Sequence, residues 1–245
     1  MNEKYLIPLS IIIAGAVIGG AVIFSNNQEP VVIEQPQQPQ QQEFDDIRAV
    51  AESTDWIIGS ADADIFVVEY SDIECPFCKR YHDGALQRLI NEYADNERVG
   101  FVFRHFPLDD PFIPARPDGS FLHPTATEAA VATECVGDLG GDESFYTFLD
   151  AVFADGETAT LSGVDLIDRY SQYAVSAGVD RVAFENCYAT FDTTKVEADF
   201  NDGRNAGVEG TPTVFLQTAD GGSFRAQPDF GTLKNGIDVF LESNR

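Results

Sequence analysis

Basic side chains are scarce in this sequence of 245 residues, which has 15 lysines and arginines against 41 aspartates and glutamates and a net charge of −26. Only four of the basic residues are lysines. Because binding to nucleic acid requires a positive footprint on the protein, this balance excludes nucleic acid as an expected partner. The acidic excess favours solubility and says little about chemistry.

Cysteine is also scarce, with four residues in the chain. Cys75 and Cys78 form one close pair, whereas Cys135 and Cys187 stand singly in helical patterns. A zinc site is an alternative interpretation of the close pair, but a second pair with ligand spacing is missing, so we expect no bound metal. The sequence also lacks a pattern typical of hydrolases or of phosphate binding, and we expect no cofactor.

Long apolar runs are absent except for residues 5–24, which carry no charge. As a helix this run would be about 30 Å long and would match a bilayer core. A cleaved signal peptide is the alternative, but the run ends in bulky residues where a signal peptidase requires small ones. We therefore expect a retained single-pass anchor in residues 1–24, with the N-terminus cytoplasmic and the remaining chain extracytoplasmic, on the periplasmic or extracellular side of the cell membrane.

The segment after the anchor, residues 25–43, is rich in glutamine and proline. This composition cannot bury a core and is typical of a tether, which as a coil would span about 25 Å. From residue 44 to residue 245 the composition is that of a globular domain. We therefore predict an anchor, a linker and one domain, in that order.

The motif Cys75-Pro76-Phe77-Cys78 follows the apolar run Ile65–Tyr70 and opens a predicted helix. The first sulfur then lies at the helix N-terminus, where unpaired backbone N–H groups favour a thiolate. We predict that Cys75 is the exposed nucleophile and that Cys78, one turn further on, is shielded. This asymmetry is what thiol–disulfide exchange requires.

Hydrophobic periodicity predicts an α/β domain with the order βαβ, a helical block, then ββα. Strands are predicted at Ile65–Tyr70, Val99–Phe103, Thr213–Gln217 and Ser223–Ala226. Helices are predicted after Cys75, over His123–Cys135, from Asp142, from Ser162, from Asp180, over Thr193–Asn205 and around Leu233–Leu241, so that the helical block covers about residues 123–206.

This order of elements and two sequence segments resemble the DsbA family of thiol:disulfide oxidoreductases, whose thioredoxin fold carries an inserted helical block. The first segment is Glu69–Cys78 and the second is Gly207–Thr213. The resemblance covers about four-fifths of the chain, from about Asp46 onward. One departure is Phe77, because the best-known oxidases of the family have histidine at this place, which leaves the oxidising strength open.

The resemblance implies that the Thr211–Pro212 peptide bond is cis, which would present the backbone of Thr211 to an extended substrate beside Cys75. An ordinary trans proline that opens an edge strand is the alternative. It also implies a structural disulfide between Cys135 and Cys187, for which two buried free thiols are the alternative.

Glu69 is a charged residue within an apolar strand, six residues before Cys75. If it is buried, its pKa is raised and it can exchange a proton with Cys78. The resemblance supports this role, and exposure at a sheet edge is the alternative. His82 is predicted to lie on the helix surface, and His105 and His123 are interpreted as structural.

The function that these patterns and the resemblance imply is oxidation of cysteine pairs in exported polypeptides by a membrane-tethered enzyme. A membrane redox partner would then reoxidise Cys75 and Cys78. A reductase or isomerase of the same fold is one alternative. A tethered protein-binding module with idle cysteines is another.

Overall fold

The computed structural model describes residues 46–156 and 158–244. The expected anchor, residues 1–24, and the expected linker, residues 25–43, lie outside this part of the chain. Among the described residues, no helix combines the length and the apolar character that crossing a membrane would require.

Five strands form one mixed sheet in the order β1-β3-β2-β4-β5. Strands β2 and β3 are parallel, and the other neighbours are antiparallel. Every residue of β2 and β3 is buried, which explains their nearly continuous apolar sequences. The strands are β1 (Ile57–Gly59), β2 (Ile65–Ser71), β3 (Val99–His105), β4 (Thr213–Thr218) and β5 (Ser223–Ala226).

Helices cover both faces and one end of this sheet. The helix that follows β2 is interrupted by a π-helical turn at His82–Leu86, which separates α1 from α2. A 3₁₀ turn at Thr158–Thr160 precedes α4. The helices are α1 (Pro76–Tyr81), α2 (Gln87–Tyr93), α3 (Ala126–Ala154), α4 (Gly163–Ser176), α5 (Arg181–Tyr188), α6 (Thr194–Asn205) and α7 (Phe230–Ser243).

The helical block differs from the sequence prediction at its start. The helices predicted over His123–Cys135 and from Asp142 form one element, α3, with a bend at Gly141. Gly141 has a φ of 79°, which a residue without a side chain adopts readily, so the chain changes direction there without a loop. The Asp142 carboxylate accepts a hydrogen bond from the backbone N–H of Ile57 (2.7 Å), so Asp142 also ties α3 to β1.

The block packs against the end of the sheet that carries the cysteine motif. Its core is aromatic, and Phe145 and Phe148 of α3 belong to the same buried cluster as Cys78 and Phe103. The block therefore excludes water from one side of the motif.

A disulfide joins Cys135 of α3 to Cys187 of α5, as the resemblance implied. The two residues are 52 positions apart, so the bond closes a long loop in the unfolded chain. We expect the double substitution of both cysteines by alanine to lower the free energy of unfolding by about 2–4 kcal/mol. Urea denaturation would measure this loss. An unchanged midpoint would contradict it, and the variant should still perform exchange at Cys75 below its unfolding transition.

Candidate active site

The cysteine motif lies where β2 ends and α1 begins. Cys75 is the residue before the helix, with extended backbone angles, and Pro76 occupies the first helical position, where a missing N–H costs nothing. Cys78 is fully buried, whereas Phe77 between the two sulfurs is 60% exposed. The prediction of an exposed Cys75 sulfur is wrong in degree, since the residue is only 5% exposed.

The cover over Cys75 comes from the loop before β4. The Sγ atom of Cys75 lies 3.6 Å from the backbone oxygen of Thr211. The Thr211–Pro212 bond is cis, as predicted. Thr213, the next residue, donates from its hydroxyl to the oxygen of Gly210 (2.7 Å), which fixes the loop at the start of β4. The Thr211 backbone and Cys75 are therefore adjacent.

The environment lowers the pKa of Cys75 to about 5. The main cause is a hydrogen bond from the Cys78 thiol, which favours the Cys75 thiolate, while burial opposes it. Backbone N–H groups of Cys78 and Phe77 and the side chain of Thr211 stabilise the same thiolate. At neutral pH Cys75 is consequently ionised in the reduced protein.

The pKa of Cys78 is shifted in the opposite direction. Burial raises it most, and the shared hydrogen bond with Cys75 and the charge of Glu69 raise it further. Cys78 is thus protonated at neutral pH. The two sulfurs therefore have different roles. Cys75 is a nucleophile and a good leaving group, whereas Cys78 is a thiol that must lose a proton before it can react.

Glu69 is 1% exposed in β2, so the alternative of a solvent-exposed Glu69 at the sheet edge is wrong. Its neighbours in the sheet are Phe103 on β3 and Val214 on β4. Within the described residues, neither carboxylate oxygen has a hydrogen-bond partner. Burial raises the pKa of Glu69 to about 7, and the charge of Cys75 adds to this, while Ser71 and His82 oppose it. Glu69 is thus poised to gain or lose a proton near neutral pH.

A family model described as "Thioredoxin" matches residues 51–238, which is most of the chain. The chain belongs to the thioredoxin family. Within that family its fold is DsbA-like. The structure is similar to the crystal structure of oxidised BdbD from Bacillus subtilis. The match covers 81% of this chain and 100% of the BdbD chain, with a TM-score of 0.62 and 20% sequence identity.

Curated relatives of this thioredoxin-family chain fall into two groups. A Bacillus anthracis protein named "Probable disulfide bond formation protein D" is 27% identical over 195 residues, which are 78% of this chain and 81% of that protein. A Mycolicibacterium vanbaalenii protein named "Na(+)/H(+) antiporter NhaA 1" is 30% identical over 173 residues, 69% of this chain. The match spans only 24% of that antiporter's length, so the chain is similar to about a quarter of it.

The position of His82 in this thioredoxin-family chain contradicts the prediction of a helix-surface residue. His82 is 3% exposed, and its Nε2 lies 2.6 Å from Oδ1 of Asp150. Its ring packs on Phe153 at a centroid distance of 4.6 Å. The reason is that α3, which carries both partners, covers this face of the helix. The amphipathic spacing of the helix could not reveal this contact, because Asp150 lies 68 residues after His82 in the sequence.

His123, which the sequence analysis interpreted as structural, interacts electrostatically with Cys75 and with the acidic residues beside it. Its Nδ1 lies 2.9 Å from Oδ2 of Asp72. Burial disfavours the charged imidazole, yet the pKa of His123 is raised, because Asp72, Cys75 and Glu74 all favour protonation. No local pattern could have indicated this interaction, because His123 lies 48 residues after Cys75 in the sequence.

A zinc site made of all four cysteines is incompatible with their pairing in the structure. Cys135 and Cys187 are bonded to each other and cannot act as thiolate ligands with Cys75 and Cys78. In residues 46–156 and 158–244, no group of three or more His, Cys, Asp or Glu side chains is placed to hold a metal ion.

Proposed function

We propose that this chain is a thiol:disulfide oxidoreductase that introduces disulfides into exported, cysteine-containing polypeptides through Cys75 and Cys78. The observation that carries the proposal is the opposite displacement of the two thiol pKa values, with Cys75 lowered to about 5 and Cys78 raised. The thiolate stabilises the reduced enzyme, and an enzyme whose reduced form is stabilised is the more oxidising partner. The relative from B. anthracis, named "Probable disulfide bond formation protein D", supports the same direction of electron flow, from substrate to enzyme.

The reaction begins with the oxidised enzyme, in which Cys75 and Cys78 are bonded. A substrate thiolate attacks Cys75 Sγ, the Cys75–Cys78 bond breaks, and Cys78 leaves with the bonding electrons. The protonated carboxyl of Glu69 gives its proton to Cys78, because a free thiolate is disfavoured at that buried position. The backbone of Thr211 holds the substrate chain extended beside the mixed disulfide.

A second substrate thiol then loses its proton to solvent and attacks the substrate sulfur of the mixed disulfide. The product disulfide forms, and Cys75 leaves as the stabilised thiolate. Two electrons pass from the substrate dithiol to the enzyme. A membrane redox partner that carries an accepting disulfide takes up these electrons. An anchor in residues 1–24 and a tether in residues 25–43 hold the enzyme near this partner. The domain then lies on the extracytoplasmic side of the membrane.

The experiment that tests the direction is equilibration of Cys75 and Cys78 with a series of glutathione redox buffers. We expect a reduction potential well above that of thioredoxin-like reductants, near −270 mV, because of the stabilised thiolate. The enzyme should also oxidise a reduced, unfolded protein faster than it reduces insulin. A potential at or below about −270 mV, with rapid insulin reduction, would instead assign a reductase, and no exchange in either assay would assign a binding module.

A further inference from the structure

A cleft of about 430 Å³ opens beside the cysteine motif, between the helix that follows β2 and the segment that precedes α7. Pro212, next to the Thr211 carbonyl that faces Cys75, forms part of its wall. The residues that give the cleft its chemical character are Phe77, Arg80, Arg88, Pro212, Asp229 and Phe230. We call this surface the Arg80–Arg88 cleft. A substrate held at Thr211 would extend into it.

The two arginines of the cleft lie over aromatic rings. The Arg80 guanidinium is 4.4 Å from the ring centroid of Phe77, and that of Arg88 is 3.8 Å from the ring centroid of Phe230. Stacking orders a guanidinium but leaves its N–H edge available to a carboxylate. Both arginine side chains are exposed, so this edge is accessible to a ligand.

Neither arginine of the cleft forms an ion pair with a carboxylate among the described residues, although the chain as a whole is strongly acidic. Lys79, which precedes Arg80 on the same helix, is by contrast paired with Asp83 (3.1 Å). The one acidic residue that lines the cleft, Asp229, caps α7 by accepting the N–H of Thr232 (2.9 Å). The cleft thus holds two guanidinium groups and one carboxylate, and neither guanidinium is paired with that carboxylate.

We propose that the Arg80–Arg88 cleft binds acidic segments of the substrate polypeptide, with glutamate or aspartate side chains near the substrate cysteine pairing with Arg80 and Arg88. This inference rests on the proposed function and names its substrate class. The arginines are eight residues apart on one helical path, about 12 Å. That distance matches about four residues of an extended chain, so one peptide reaches both.

The overall charge supplies the physical reason for such a cleft. A protein of net charge −26 repels acidic polypeptides at long range. The guanidinium groups of Arg80 and Arg88 place positive charge beside the cysteine motif, where the substrate must approach. Charge complementarity of this kind acts mainly on the association rate and on selectivity, and salt screens it.

The test uses peptides that contain one cysteine flanked on both sides by glutamate, glutamine or lysine, reacted with the full-length oxidised enzyme. Each second-order rate constant is divided by that of the same peptide with the uncharged disulfide of 2-mercaptoethanol, which removes the effect of the flanking charges on the peptide thiol. We expect the corrected rate to be about 3- to 10-fold higher for the glutamate peptide than for the glutamine peptide at low salt, and lowest for the lysine peptide.

The decisive variant is the double substitution Arg80→Gln and Arg88→Gln. It should abolish the preference for glutamate and leave the corrected rate for the glutamine peptide nearly unchanged. Arg181→Gln is the matched control, because it removes one positive charge from α5, outside the cleft lining. This control should retain the preference. Ionic strength of 1 M should reduce the preference in the wild type but leave the double variant unaffected.

Equilibrium binding keeps this inference separate from the proposed function. The same peptides with serine in place of cysteine, labelled for fluorescence anisotropy, should show the same order of affinity even if no exchange occurs. Equal rates and affinities for the glutamate and glutamine peptides would overturn the cleft proposal while leaving the oxidoreductase proposal intact. Persistence of the preference in the double variant would overturn it too, as would arginine-dependent binding to anionic phosphatidylglycerol vesicles without any peptide preference.

Discussion

Cys78→Ala is expected to accumulate mixed disulfides between Cys75 and substrate polypeptides, whereas Cys75→Ala should accumulate almost none and should reduce the exchange rate to the uncatalysed level. The reason is that the two sulfurs differ in protonation state and in burial. Only Cys75 is a thiolate at neutral pH, and Cys78 is fully buried and protonated. In Cys78→Ala the thiol that would resolve the mixed disulfide is gone. Non-reducing electrophoresis followed by mass mapping would measure the adducts.

Alkylation of the reduced protein by iodoacetamide measures the same asymmetry without a substrate. We expect Cys75 to be modified first, with a rate that rises through a midpoint at about pH 5. In Cys78→Ala this midpoint should move to higher pH, since the hydrogen bond from the Cys78 thiol is the largest stabilising contribution to the thiolate. Equal trapping by the two variants, or an alkylation midpoint near 9 in the wild type, would be incompatible with Cys75 as the attacking sulfur.

Several features of the site could be predicted because their signals are local. The motif from Cys75 to Cys78 and the Thr211–Pro212 segment are each short and adjoin a strand, so their positions follow from the order of elements. The burial of Glu69 follows from its place in a strand that is apolar on both faces. These features depend on neighbours within a few residues or on the sheet itself.

Other features could not be predicted because their causes are distant in sequence. The predicted β3 ended at Phe103, since a charged residue follows, yet the strand continues to His105. Arg104 is fully buried there because Asp55 (2.8 Å) and Asp202 (3.0 Å) neutralise it, and both come from other parts of the chain. Strand β1 was missed because three residues are too few to show a period.

The membrane assignment stays a prediction, because its residues precede the described part of the chain. The domain begins near Ile47, which is buried, and whose N–H donates to Ser223 of β5 (3.4 Å). The chain therefore enters the fold at the β5 edge of the sheet, immediately after the predicted linker.

Glu69→Gln is expected to change the pH dependence of stability of the reduced protein by about 3 kcal/mol. The carboxyl pKa is about 7 in the folded state against 4.5 in an exposed glutamate. Below pH 4.5 the carboxyl group is protonated in both the folded and the unfolded state, so its ionisation does not lower the free energy of unfolding. As the pH rises from 4.5 to about 7, the unfolded chain releases a proton that the folded protein retains, so stability is lost, and above pH 7 the folded protein carries an ionised buried carboxyl and the loss stays constant. Glutamine does not ionise and removes this loss.

Urea denaturation of the wild type and of Glu69→Gln, both kept reduced, at pH 5 and pH 9 would measure the effect. The variant should gain about 3 kcal/mol relative to the wild type between these two values of pH. The charged and titratable groups that interact with Glu69 are Cys75, Cys78, Tyr81 and His82. They are present in both proteins, so the difference between the two curves reports the Glu69 carboxyl together with its interaction with these groups. Glu143→Gln, at an exposed site on α3, is the matched control and should show no such difference.

The same substitution should slow the steps in which Cys78 gains or loses a proton, by about 100-fold. Formation of the product disulfide at neutral pH should therefore fall in Glu69→Gln, while alkylation of Cys75 by iodoacetamide, which needs no proton at Cys78, should stay within a few-fold of the wild type. This split separates a proton-transfer role from a structural one, because a misfolded site would impair both reactions. If both rates were unchanged while the stability difference appeared, Glu69 would be a buried carboxyl without a part in the reaction. If the stability difference were also absent, the carboxyl would not be buried in solution as it is in the structure.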